Sequence, residues 1–274
     1  MTMQTAAAPE RSDRWRNADA HAAGAVRYLE MLTALLQSHK DRSIELLRLK
    51  PGHSAIEIGC GMGRECEAMA RLVGPSGKVV GIDASQSLLD QAATRTRSLA
   101  LPLEFRRGDA HQLPFADNSF DAARGERVFE HLADPAGAVR ELARVVRPGG
   151  RIAGMEPDFE TIAVAGVPID VTRAIVRHKT DVAIAHGTIG REMRRLLVEA
   201  GCHDLYSESV AVTFLSLKMA DDVISLRANI EGARTQGWIT DQQATSWWET
   251  LEELDRRAAF FCCLTGMFFA GTVA

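Results

Sequence analysis

Short apolar runs alternate with amphipathic stretches along most of this chain. Ser54 to Ile58 reads SAIEI, an apolar run that ends in glycines. A helical stretch from about Arg64 to Leu72 follows, then KVVGI from Lys78 to Ile82, then a helical pattern from about Gln86 to Ala100. PLEFRRGDA and FDAARGERV each read as a strand running into a loop. Val139, Leu142, Val145 and Val146 mark one face of the next helix, which RPGG at 147–150 is expected to stop, and RIAGMEP forms a fifth strand. Five strands alternating with helices predict a parallel sheet with helices on both faces. Such sheets hold ligands at the carboxyl ends of their strands, where the strand order reverses.

Before the first strand, Val26, Leu29, Leu32, Leu35 and Leu36 share a helical face, and Ser43 to Leu49 reads as a second helix closed by Pro51-Gly52. After the fifth strand, Ile189, Met193, Leu196, Leu197 and Ala200 predict an amphipathic helix, and Tyr206 to Leu215 a strand. The apolar tail FFCCLTGMFFAGTVA suits a final buried strand. The region from 218 to 257 is helical and carries Trp238, Trp247 and Trp248. The expected organisation is a flexible tail at 1–20, a sheet domain at 21–217, a helical cap inserted at 218–257, and the last strand at 258–274.

Composition narrows the class. The chain has 274 residues, 46% apolar and 25% charged, with a net charge of −4. That permits a sizeable core and offers no basic stripe for nucleic acid. No apolar run reaches the roughly 18–20 residues of a membrane helix. Five cysteines, an odd number with no CxxC pair, point away from a disulfide framework or a zinc site and towards the cytoplasm. The expected partner is a small molecule, not nucleic acid or a membrane, and the expected state a monomer or homodimer.

The candidate chemistry starts at AIEIGCGMGRE, from Ala55 to Glu65. Gly59 and Gly61 fit the dinucleotide pattern GxGxxG, but its third position is Arg64, and no Gly-Lys-Ser/Thr completes a phosphate loop. GxGxG remains. Glycines at a strand-to-helix turn let a ligand approach the backbone. Asp83, at the end of VVGID, can accept hydrogen bonds from ribose hydroxyls or simply cap the next helix. Asp109, in GDAHQLPF, stands where an adenine amino group is met, or serves a turn. Glu57 can hold the glycine loop or face the ammonium of an amino-acid-like ligand.

AIEIGCGMG, VVGIDAS, FRRGDAHQLPFADNSFDAARGERVFEHLADP and ELARVVRPGGRI, in that order, resemble the motifs of class I S-adenosylmethionine-dependent methyltransferases, most closely over residues 50–157. The resemblance implies a Rossmann-like, doubly wound α/β fold with a seven-stranded sheet, its last strand antiparallel. It implies S-adenosylmethionine as cofactor and S-adenosylhomocysteine as product. Glu57, Gly59, Gly61 and Gly63 would then lie near the methionine part, Asp83 at the ribose, and Asp109 and Ala110 at the adenine; Cys60, otherwise a small loop filler, and Ala84 count with the cofactor site. Arg124 would contact the cofactor through its backbone. Glu57 stands where many members carry Asp.

His131 matches a position often His in the small-molecule branch, which includes quinone and natural-product methyltransferases. His131 and Glu126 are the candidate catalytic residues; His131 equally suits helix capping or loop packing. Glu126, Arg127, Glu156 and Asp158 follow strands four and five and read either as substrate contacts or as surface charges. No metal is expected. The tryptophans suit either a substrate pocket or helix packing. Methyl transfer to a small molecule for biosynthesis is the leading expectation. A non-methylating protein of the same fold comes second. Protein or nucleic-acid methylation comes third, because RGERVF replaces the Asn-Pro-Pro-aromatic type of tetrapeptide after strand four.

Overall fold

The computed structural model describes residues 35–274. Seven strands form one sheet: β1 (Ser54–Ile58), β2 (Lys78–Asp83), β3 (Leu103–Arg107), β4 (Phe120–Gly125), β5 (Val146–Val164), β6 (Cys202–Phe214) and β7 (Cys262–Val273). Their order is β3-β2-β1-β4-β5-β7-β6. β7 runs antiparallel to both β5 and β6, and the β1 to β5 pairings are parallel. The doubly wound α/β sheet with an antiparallel last strand is therefore the observed fold. The order reverses between β1 and β4, and a crevice opens at the carboxyl ends of strands on either side of that point.

The helices are α1 (35–45 among the described residues), α2 (Arg64–Val73), α3 (Gln86–Thr96), α4 (Pro135–Val145), α5 (Ile169–His178), α6 (Ile189–Glu199), α7 (Leu217–Ile224), α8 (Leu226–Thr235) and α9 (Asp241–Arg256). One apolar core joins Leu36, Ile44 and Leu47 to Met69, Val73 and Leu89 on one face of the sheet. The opposite face packs Val139 and Leu142 of α4 against Met193 and Leu197 of α6. The start signals are physical. Ser85 accepts a hydrogen bond from the Leu88 N–H at 3.3 Å, capping α3, and Asp134 does the same for Gly137 at 2.9 Å ahead of Pro135. Thr240 and Gln243 form a reciprocal capping box on α9.

Several elements differ from the sequence reading. Residues 35–45 are helical and 46–48 are turns, so Ser43 lies inside α1 and no separate helix runs to Leu49. Ser43 is fully buried, which fixes the packed face of α1. Val26, Leu29 and Leu32 fall outside the described residues, as does the 1–20 tail. α4 ends at Val145, and RPGG lies inside β5. That strand has 19 residues because β7 pairs along it through an irregularity between Asp158 and Ala163. β6 begins at Cys202, ahead of the expected Tyr206.

α7, α8 and α9 connect β6 to β7; α8 and α9 pack with α5, and α7 packs with α8, α9 and β6. Trp247 is 1% exposed, and its indole N–H donates to Thr172 Oγ1 of α5 at 3.0 Å. Trp238 and Trp248 lie against the guanidinium groups of Arg177 and Arg227, at 4.4 and 3.9 Å. Helix packing is thus where the tryptophans are used. Trp247→Ala is expected to cost about 3–5 kcal/mol by urea denaturation, and Thr172→Val about 1–3 kcal/mol because it strands the indole N–H. A loss below about 1 kcal/mol in Trp247→Ala would mean that α9 is not anchored through this ring.

Candidate active site

A cavity of about 610 Å³ opens at the carboxyl ends of β1, β2 and β4. That volume is in the usual range for a small-molecule site. Its walls hold every residue expected at the cofactor except Gly63, which stands next to them as the N-cap of α2. Among the described residues, 217–256 contribute nothing to its lining, and neither do Trp238, Trp247 and Trp248.

The glycine loop reaches the cavity in the left-handed conformation. Gly59, Gly61 and Gly63 have φ of 64°, 51° and 68°. A side chain at Gly59 would press within 2.8 Å of Val128, and one at Gly63 within 2.5 Å of the Phe105 ring. Asp83 fixes the loop from the neighbouring strand. Its Oδ2 accepts the Gly61 N–H at 2.8 Å and its Oδ1 the Ser85 N–H at 2.9 Å. Ser85 is the α3 cap, so Asp83 is not. Ala84 is exposed beside it on the cavity wall. Cys60 is buried on the wall, and burial contributes to raising its thiol above the ordinary value although Cys66 bonds to it.

Asp109 does serve a turn. Its Oδ1 accepts the His111 N–H at 2.9 Å and lies 2.6 Å from His111 Nδ1. His111 Nε2 lies 3.1 Å from the Asp134 N–H and accepts from it, so the ring proton sits on Nδ1 and points to Asp109. The carboxylate is 69% exposed at the cavity, with Ala110 buried beside it.

The other end of the cavity is built on Arg124. Its expected contact was through the backbone, but its side chain, 2% exposed, organises the floor. β1 and β4 pair so that Glu57 stands directly opposite Arg124. The guanidinium bonds Glu57 Oε1 and Glu126 Oε2, and its Nε and Nη2 donate to Ser43 Oγ of α1 at 3.1 and 2.8 Å. Cys66 donates to the second Glu57 oxygen at 3.0 Å. Lys40 of α1 pairs with Glu65 of α2 at 2.6 Å. Burial pushes the Glu57 carboxyl up to about 7 against the pull of Arg124, and the adjacent Glu65 adds to the rise. Burial also acts on Arg124, but Glu126 and Glu57 hold its guanidinium above the ordinary value and so charged. Burial would raise Glu65 too, yet Lys40 and Arg124 hold it below its usual range.

Three acids read as either contacts or surface charges are in fact buried. Glu126 is 9% exposed, and Glu156 and Asp158 are fully buried. Asp158 pairs with Arg191 of α6 through Nη2 at 2.8 Å. Glu156 holds the turn after β4 through the N–H groups of Val128 and Phe129. His131 is on the cavity wall, with Nε2 3.3 Å from Glu130 Oε1. Sequence reading missed Lys40, Ser43, Glu65, His111 and Glu130. Glu65, in the stretch beginning at Ala55, His111, inside GDAHQLPF, and Glu130, next to His131, had a local signal; Lys40 and Ser43 had none. Among the described residues, no three His, Cys, Asp or Glu side chains gather as metal ligands, and no helix is long and apolar enough to cross a membrane.

The family model for a methyltransferase domain matches residues 56–154, the span from β1 into β5 that carries these side chains. The chain belongs to the class I S-adenosylmethionine-dependent methyltransferases. An uncharacterized 37.1 kDa protein of transposon TN4556 from Streptomyces fradiae is 38% identical over 244 residues, covering 88% of this chain and 69% of the relative. The 2-phytyl-1,4-naphtoquinone methyltransferase of Synechococcus elongatus is 39% identical over 116 residues, which is 42% of this chain; the match spans half (50%) of that protein's length. The YcgJ protein of Bacillus subtilis shares the fold, with a TM-score of 0.60 at 18% identity over 86% of this chain and 98% of the other.

The Arg124 floor gives this methyltransferase a stability test. Arg124→Met leaves two buried carboxylates unpaired and is expected to cost about 3–5 kcal/mol at pH 8. Without the guanidinium those carboxyls protonate more readily in the folded state. Their penalty is present at pH 8 and fades as pH falls, so the deficit against wild type shrinks at pH 5. Denaturant titrations at both pH values check this; an equal deficit at both would show that the carboxylates are not what is stranded.

Proposed function

We propose that this chain transfers the methyl group of S-adenosylmethionine to a small acceptor of the quinol or natural-product type. The observation that carries the reading is the cavity at the strand ends. It has a left-handed glycine loop on one wall and an inward-facing carboxylate, Asp83, on the next. The similarity to a naphthoquinone methyltransferase over the cofactor half supports the acceptor class. Ile82, Leu88, Val128 and Leu132 give the cavity apolar surface.

The residues suit this cofactor. Asp83 is half-buried and has the acceptor oxygens a ribose diol needs. Ala110 and Leu88 offer an apolar seat for a purine, with Asp109 at its edge. At the opposite end Glu57, Glu65 and Glu126 are matched by Lys40, Arg64, Arg124 and Arg127, so a ligand's amino-acid end would meet both carboxylates and cations there. When bound, the cofactor supplies a methyl carbon already activated by a sulfonium. The chain's task is to bind, align and exclude water. Glu126 faces Arg124 and Ser43, so of the two candidate bases His131 is the one we assign to the acceptor.

Calorimetric titration with S-adenosylmethionine tests the reading. Wild type is expected to bind, and Asp83→Ala to bind at least about tenfold more weakly, since a hydrogen bond to a charged group contributes about 1.5–3 kcal/mol. Absence of binding by folded wild-type protein, checked for co-purified ligand, would overturn it.

A further inference from the structure

Glu130 and Glu156 are two buried acids that cofactor binding does not use. Glu130 and His131 share the short turn Phe129–His131 after β4. Nε2 of His131 lies 3.3 Å from Glu130 Oε1, with the two side chains 18% and 1% exposed. Glu156, at 0% exposure, stands on β5 behind the same turn. Its Oε1 accepts from the N–H groups of Val128 at 2.9 Å and Phe129 at 3.2 Å. Among the described residues the Oε2 atoms of Glu130 and Glu156 have no hydrogen-bond partner.

The two acids occupy different protonation states. Burial acts to raise Glu130, but the neighbouring His131, Arg127 and Lys179 hold it low. Burial and the neighbouring Glu130 charge push Glu156 well above the ordinary carboxylate value. The two buried acids are pushed apart, and the negative charge is favoured on the member that faces the histidine. Glu156 is the bracket for the backbone, and Glu130 is the carboxyl beside the ring.

We propose that Glu130 is the positioning residue of a His131 base: its carboxylate accepts the Nε2–H of His131, and Nδ1 carries the lone pair that takes a proton from the acceptor. This rests on the methyl-transfer reading and narrows it. The acceptor is one that loses a proton when methylated, a phenol, enol or acidic C–H, and not a tertiary amine or a thioether. An acceptor oxygen uses its lone pair, and an acceptor carbon the pair freed from its C–H bond, to bond the methyl carbon. The carbon–sulfur bond breaks with its electrons on sulfur, and the acceptor's proton passes to Nδ1. One positive charge leaves sulfur and one appears on the imidazole, where the Glu130 carboxylate stabilises it. Such general-base help contributes about 10²–10⁴ in rate.

The test is nuclear magnetic resonance of isotope-labelled histidine in the protein without cofactor, with His131→Gln used for assignment. Wild type is expected to show a ring proton on Nε2 of His131, shifted downfield and protected from exchange by the carboxylate. Glu130→Gln should lose that protection and downfield shift. Glu156→Gln, which mimics a neutral acid, should keep both. A proton on Nδ1 in wild type, or an unchanged Nε2–H signal in Glu130→Gln, would overturn the proposal. The wild-type spectrum decides the first point even if a variant does not fold. Calorimetry with S-adenosylmethionine reports separately on the methyl-transfer reading, so the two failures are distinguishable.

Discussion

One end of the cavity at the carboxyl edge of the sheet is organised around a buried cation. Arg124 is enclosed by Glu57 of β1, Glu126 beyond β4 and Ser43 of α1. Charges taken out of water are costly unless their partners are close and fully bonded. These elements therefore cannot separate without stranding a charge. The guanidinium fixes the register of β1 on β4, seats α1 on the sheet, and sets Glu57 at the root of the glycine loop.

From that root the constraint passes outward by contact. Gly59 has room only for hydrogen against Val128. Val128 and Phe129 are held from behind by Glu156. The same turn carries Glu130 and His131 to the cavity wall. On the other side Asp83 ties the Gly61 N–H to β2. The loop is thus held from both neighbouring strands, and an alignment-dependent displacement reaction benefits from walls that are already fixed.

Much of this was legible in the sequence, and the boundary is physical. Alternating strands and helices, the GxGxG loop and the acid ending β2 are local patterns, and the fold follows from them. The Arg124 cluster was not legible because it depends on which residue of β4 faces Glu57 across a parallel pair. The burial of Glu156 and Asp158 depends on β5 being covered by α6 and β7 along its length. The tryptophans were ambiguous because helix packing and pocket lining use the same residue types. The break expected between two N-terminal helices failed because Ser43 and Ile44 pack inward as one continuous turn.

The most direct test of the central claim is a crystal structure of the protein with S-adenosylhomocysteine. The account predicts the ribose hydroxyls on Asp83, the purine between Leu88 and Ala110, and the amino-acid end above Glu57 and Arg124. Ligand density elsewhere, or a ribose that does not touch Asp83, would contradict it.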